Sequence, residues 1–270
     1  VRLSSAPSPE KVNNRSLWVT PVDPFILEGE KTVVFEICEQ LGWRTPSRII
    51  APMGTGGFLS MLWKGLRELS QIGFVRENEV RLTGAQAAGC DPIIEAFKRN
   101  RCTVIPTQSA QTLAIDLKVA RPPLGEKALE AIRMSRGTAV AVSDDEILEA
   151  ARLLAKTEGV FAEPAAASTV AALKKIVESR EINSSEDVVC IITGSGLKDP
   201  SATFRLIERQ RKIRFLVERR RNRGLSLNLG ETKAIVLQLL SKEETYGYEV
   251  WKRLAEEYGV RVKISSVYQH

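Results

Sequence analysis

Two apolar runs in this 270-residue chain each climb to a glycine-rich turn. The first, "RIIAPMGTGGFLSMLWKGL" at 48–66, rises to Pro52, breaks at Gly54, Gly56 and Gly57, and becomes an amphipathic stretch. The second, "DVVCIITGSG" at 187–196, ends on Thr193, Gly194, Ser195 and Gly196. Unbroken apolar runs of this kind suit central parallel strands covered on both faces. Parallel strands need helical crossovers, so the chain is directed towards an α/β architecture.

The stretch between the two turns supplies those crossovers. "EGEKTVVFEICEQLG" (28–42) puts Val33, Val34, Ile37, Cys38 and Leu41 on one helical face. The spacing predicts a strand at 48–52, a helix at 57–70 and a strand at 81–86. A helix over 91–100 follows, with Pro92 at its first position. "GEKALEAIRMS" then leads into the short strand "TAVAVS". Ser143 and Glu146 form a capping box before "DDEILEAARLLAKTEG", and "PAAASTVAALKKIVESR" is a further, small-sided helix. The alternation reads as a doubly wound parallel sheet.

Ligands in open α/β sheets sit beyond the carboxyl ends of the strands. A glycine turn at a helix N-terminus offers backbone N–H donors and the positive end of the helix dipole to a phosphate. Thr55 adds a hydroxyl. Phe58 stands where a nucleotide P-loop needs Lys, and Leu59 where a dinucleotide fingerprint needs its third glycine. By pattern alone the turn also fits an ordinary strand–helix connection, and Thr193 an ordinary strand residue. Taken together, one turn can cradle a phosphate while the other presents a hydroxyl to the ligand's far side.

Composition removes several chemistries. The single histidine is His270, so Ser-His-Asp, Cys-His and His-ligated zinc sites are not expected, and no metal is. Cys38, Cys90, Cys102 and Cys190 are scattered without a CxxC, as suits reduced thiols of a cytoplasmic protein. No apolar run is long enough to cross a bilayer. The N-terminal residues lack the pattern of a secretory signal, and with no initiating Met the chain is expected to begin inside a longer gene product. Of the net +6, residues 205–223 alone carry +7, so any polyanion contact belongs to that segment.

Across 24–200 the chain resembles the C-terminal two-thirds of the threonine synthase family, pyridoxal-phosphate enzymes of the tryptophan-synthase β fold type (type II). "PFILEGEKTVVFEI" (24–37), "APMGTGGFLSMLWKG" (51–65), "LTGAQAAGCDPI" (82–93), "EGVFAEPAAAST" (158–169) and "TGSGLKDP" (193–200) carry the likeness. The resemblance implies pyridoxal 5'-phosphate as cofactor, with Gly54, Thr55, Gly56 and Gly57 at its phosphate. Thr193 matches the residue whose hydroxyl meets the pyridine nitrogen, a neutral partner that leaves that nitrogen less firmly protonated than a carboxylate would. Glu163 and Ala165 to Ser168 match the motif bordering the pocket. The implied reaction converts O-phosphohomoserine and water to threonine and phosphate, and the implied assembly is a homodimer.

Three departures stand out. The family's Schiff-base lysine lies in an "SFKDR"-like segment that these residues do not contain; Lys31, Lys64 and Lys198 match other positions. The catalytic residue is therefore not identified here, and this stretch alone is expected to be inactive. Ser195 occupies the His position of "TGHG". "VTPVDPFILEG" (19–29) replaces polar residues and an Arg used near the substrate phosphate, with Pro21 and Ile26 among the substitutes.

Past residue 204 the character changes. The expected division is 1–204 as a partial cofactor domain incomplete at its N-terminus, 205–229 as a basic helical connector, and 230–270 as a partial winged helix-turn-helix. "YGYEVWKRLAEEYG" and "ISSVYQH" resemble PadR-like winged helices, with helices near 231–241 and 246–258 and Ser265 capping a third. Such a tail suggests DNA as a partner, its affinity falling with salt. It also fits a dimerisation module, with Tyr246, Tyr248 and Trp251 in its core. The rival to the enzyme is a transcription regulator whose degenerate pyridoxal-phosphate domain senses a ligand. A third reading is the non-catalytic product of a split gene.

Overall fold

The computed structural model describes residues 20–76 and 80–198. The expected connector at 205–229 and winged helix at 230–270 lie outside the described residues. Four parallel strands, β1 (Arg48–Pro52), β2 (Arg81–Ala87), β3 (Thr138–Val142) and β4 (Val188–Cys190), form a sheet in the order β3-β2-β1-β4. Among the described residues six helices accompany them: α1 (Pro24–Gln40), α2 (Gly57–Gln71), α3 (Pro92–Lys98), α4 (Gly125–Met134), α5 (Asp144–Thr157) and α6 (Pro164–Glu178).

Alternate strand residues feed opposite faces of the sheet. Ile49, Ala51 and Leu82 join the cluster built by α1 to α4, while Ile50, Ala85 and Ala87 join the one built by α5 and α6. On α2 the buried Leu59, Leu62, Trp63, Leu66 and Leu69 fall at helical spacing. Full burial of such side chains is worth about 1.5–3 kcal/mol each. The small residues of α6 lie directly against the sheet, with Ala166, Ala167 and Ala172 wholly inaccessible.

Local chemistry sets the boundaries. α1 starts at Pro24, four residues before the expected start, because Asp23 caps it by accepting the Phe25 N–H at 2.9 Å. Only Val34 and Cys38 of its expected apolar face are buried. The Ser143–Glu146 capping box forms as read, and Glu146 also meets Lys175 Nζ of α6 at 2.9 Å.

The last strand departs from the expectation of a continuous, covered run. β4 is three residues long, half-buried, and among the described residues pairs only with β1. One more ladder bond, from Ile191 N–H to the Ile50 carbonyl, follows it before the chain turns away. Between α3 and α4 the chain runs irregularly, with one 3-10 turn at Ile115–Leu117. Asp144 holds that stretch by accepting from Thr112 Oγ1 at 2.6 Å and Leu113 N–H at 3.0 Å.

Candidate functional site

The strand order places the site. From β1 the chain moves to β2 and β3 on one side, then returns to add β4 on the other. The winding therefore reverses between β1 and β4, and open α/β sheets bind ligands in the crevice at that point. Both glycine turns lie there: Gly54–Gly57 follows β1 and Thr193–Gly196 follows β4.

The first turn is fixed from behind. Gly56 adopts φ +88°, and a side chain on it would strike the Leu124 carbonyl, as one on Gly54 would strike that of Asp116. The Thr55 carbonyl accepts the Leu124 N–H at 3.0 Å, tying the turn to the start of α4. Gly57 N–H donates to Thr55 Oγ1 at 3.3 Å, leaving that hydroxyl's own proton for a ligand. The N–H groups of Phe58 and Leu59, in the first turn of α2, have no acceptor among the described residues. Unpaired donors at a helix N-terminus, approached past glycines, suit an anion.

Glu30 of α1 lies beside this turn. Its Oε2 is buried without a hydrogen-bond partner, 3.5 Å from where a Cβ on Gly57 would stand. Burial pushes its carboxyl above the usual range, towards a neutral form that does not repel a phosphate.

The second turn lies antiparallel to residues 161–163. Glu163 N–H donates to the Gly194 carbonyl at 2.9 Å, and Gly196 N–H to the Phe161 carbonyl at 2.9 Å. Glu163 is the N-cap of α6 but makes no capping bond. Instead its carboxylate accepts the Thr193 hydroxyl at 3.2 Å and meets Lys198 Nζ at 3.2 Å. Thr193 is exposed beside this pairing. Gly194 is required here, since a Cβ would stand 2.5 Å from the Glu163 carboxyl.

None of the three lysines singled out in the sequence is poised to form an imine. Lys198 also meets Asp116 Oδ2 at 2.7 Å, and that bond, with Glu163, raises its pKa. Lys31 meets Glu28 at 2.6 Å and Glu68 at 2.7 Å, which likewise raise its pKa. Lys64 pairs with Glu28. Imine formation needs the neutral amine, so a carboxylate-locked ammonium is a poor candidate. Burial pushes the Cys190 thiol up to about 11 and raises those of Cys38 and Cys90, which disfavours their thiolates. Sequence spacing had no means of finding Asp116, 82 residues from its partner Lys198. Among the described residues, no helix is long and apolar enough to cross a membrane.

Fold and site define a parallel α/β protein whose switch point carries unpaired N–H donors at the start of the helix after β1 and a hydroxyl after β4. The chain belongs to the family of pyridoxal-phosphate-dependent enzymes, whose model matches residues 8–194. It is 47% identical over 192 residues to the threonine synthase of Methanocaldococcus jannaschii, covering 71% of this chain and 47% of that protein. To the threonine synthase of Methanosarcina acetivorans it is 41% identical over 187 residues, covering 69% and 46%. The chain thus spans about half the length of the curated relatives it matches.

Among solved structures, a fungal L-serine ammonia-lyase from Rhizomucor miehei superposes with a TM-score of 0.57 at 23% identity, over 69% of this chain and 57% of that one. The processed form of threonine deaminase isoform 2 from Solanum lycopersicum gives 0.56 at 21% identity, over 69% and 50%. At such identities the likeness is one of fold. The group that defines the family fits the residues present: unpaired N–H donors for its phosphate, glycines where a side chain would break the cradle, and an exposed hydroxyl beyond them.

Proposed function

We propose that this chain carries the cofactor-holding part of a threonine synthase, acting on O-phosphohomoserine and water to give threonine and inorganic phosphate. The observation that carries the reading is the 47% identity over 192 residues to a threonine synthase, in a chain with a phosphate cradle at its switch point. When bound, pyridoxal phosphate supplies an electron sink for carbanion chemistry on an amino acid.

The positions of this chain's residues support the following roles. The Phe58 and Leu59 N–H groups, the Thr55 hydroxyl and the dipole of α2 receive the phosphate, with Gly54, Gly56 and Gly57 allowing its approach. Thr193 presents its hydroxyl oxygen to the ring nitrogen. Lys198 holds Glu163 in place and is not the covalent anchor. Without an anchoring lysine in an "SFKDR"-type context, these 270 residues bind the cofactor but do not turn over substrate.

The test is phosphate release from O-phosphohomoserine with added cofactor. The chain is assayed alone and mixed with the part of the Methanocaldococcus jannaschii relative that it does not match. The expected result is release by the mixture only. Release by the chain alone would remove the role assigned to the missing lysine, and release equally from O-phosphoserine would remove the substrate assignment.

A further inference from the structure

One buried oxygen beside the glycine turn after β1 has no partner. Glu30 Oε2, on α1, is buried and meets no hydrogen-bonding group among the described residues. It stands 3.5 Å from where a Cβ on Gly57 would be, and the other atoms at that position are the apolar ends of Leu27 and Leu124. Farther along, Lys31 and Val34 lie in the same way against Gly65. The two helices therefore run side by side in one direction, which brings Glu30 to the first turn of α2.

A buried polar atom left unpaired is costly, and native proteins keep few of them. As a carboxylate, Glu30 could only accept hydrogen bonds, and it would bring a charge into a dry place without a cation. The ionic groups of the surrounding elements are committed elsewhere. Lys31 and Lys64 pair with Glu28 and Glu68, on α1 and α2. Glu126 of α4 accepts the Val104 N–H at 3.1 Å, and Asp116, behind Gly54, pairs with Lys198. Burial therefore acts on Glu30 unopposed and raises its pKa. A neutral carboxyl carries an O–H that donates, and what this donor lacks is an acceptor.

We propose that Glu30 is a further phosphate-binding residue of this site, its protonated carboxyl donating a hydrogen bond to the phosphate of the ligand. The inference rests on the reading of the turn after β1 as the phosphate cradle. It adds a side-chain donor from α1 to the backbone donors of α2, and with it a pH dependence that backbone N–H groups do not have. An ionised Glu30 loses the donated bond and repels the anion, so affinity falls as pH rises through its titration.

The probe is pyridoxine 5'-phosphate, which keeps ring and phosphate but lacks the aldehyde that would modify surface lysines; pyridoxine is the phosphate-free control. Their affinities for the 270-residue chain are measured by calorimetry from mild acid to about pH 9, in wild type, Glu30→Gln and Glu30→Leu. Gln keeps a donor and never ionises, whereas Leu has neither donor nor charge. For the phosphate ester, wild type is expected to match Glu30→Gln in mild acid and to fall at least about tenfold below it at high pH. Glu30→Leu is expected to bind the ester about tenfold more weakly than Glu30→Gln throughout. Pyridoxine is expected to distinguish none of the three, an outcome that a merely structural role for Glu30 would not give.

Parallel pH profiles for wild type and Glu30→Gln would overturn the inference and leave the cradle standing. Equal binding by Glu30→Leu and Glu30→Gln would overturn the donated bond. No saturable binding of the ester by wild type in mild acid would overturn this inference and the cradle together. The comparison with Glu30→Gln is decisive even if Glu30→Leu fails to fold.

Discussion

Gly56 turns the position of its missing side chain onto the carbonyl of Leu124, in a left-handed conformation at φ +88°. Backbone against backbone leaves no flexible group to move aside. Gly73 has nearly the same conformation, φ +80°, yet nothing lies within 4 Å of its Cβ position. Both Gly→Ala variants incur the left-handed strain of about 1 kcal/mol. Only Gly56→Ala adds the collision, and denaturant unfolding should show it losing about 3 kcal/mol or more. Equal losses would mean that the α4 junction yields to the turn.

A second prediction concerns the far end of the sheet. Arg48, 3% exposed at the start of β1, donates to Thr83 Oγ1 at 2.8 Å and faces Glu186 at 3.8 Å just before β4. Arg81 also reaches Glu186, at 3.5 Å. Glu186→Gln would leave the buried guanidinium with less compensation. Losing one partner of a buried pair costs about 3–5 kcal/mol, so a clear drop in melting temperature is expected. An unchanged melting temperature would show that the hydrogen bond to Thr83 suffices for Arg48.

Hydrogen bonds from Lys31 and Lys64 hold the carboxyl of Glu28 down to about 2, from an ordinary 4.5. A depressed carboxylate stabilises the fold above its unfolded value, and that contribution is lost as pH falls from about 4.5 towards about 2. Wild type should lose stability across that window more steeply than Glu28→Gln. The site is exposed, so added salt should shrink the difference. A carboxyl NMR titration of Glu28 with an ordinary midpoint would contradict the network.

Glu30 behaves in the opposite sense. Burial raises its folded-state value, so its charged form burdens the fold increasingly as pH rises through that value. Glu30→Gln removes the charge beside Gly57. It should stabilise the chain above neutral pH by on the order of 1 kcal/mol, with a smaller effect in mild acid. Destabilisation at high pH would mean that the buried oxygen has a partner in solution.

Local patterns carried much of the fold. The apolar run at 48–52, the glycine break and the amphipathic stretch after it state β1 and α2 almost to the residue, and Ser143 with Glu146 states the start of α5. The run at 187–196 misleads because apolar content alone states neither how long a strand stays paired nor how fully it is covered. Ile191 and Ile192 are only half-buried, beyond the end of a three-residue edge strand. The glycine turns and Thr193 were legible as a candidate site through their motifs. The support behind Thr193 was not, because Asp116, Glu163 and Lys198 meet only once the sheet brings distant loops together.

The central claim is that the turn after β1 binds the phosphate of the cofactor. It is tested most directly by comparing pyridoxine 5'-phosphate with pyridoxine on the 270-residue chain by calorimetry or equilibrium dialysis. The account predicts saturable one-to-one binding of the phosphate ester, at least about tenfold tighter than the free alcohol. It also predicts that Gly57→Asp, which brings a carboxylate to the first turn of α2, abolishes that preference. Equal affinity for the two compounds would contradict the account, because the phosphate would then be contributing nothing at the site built to hold it.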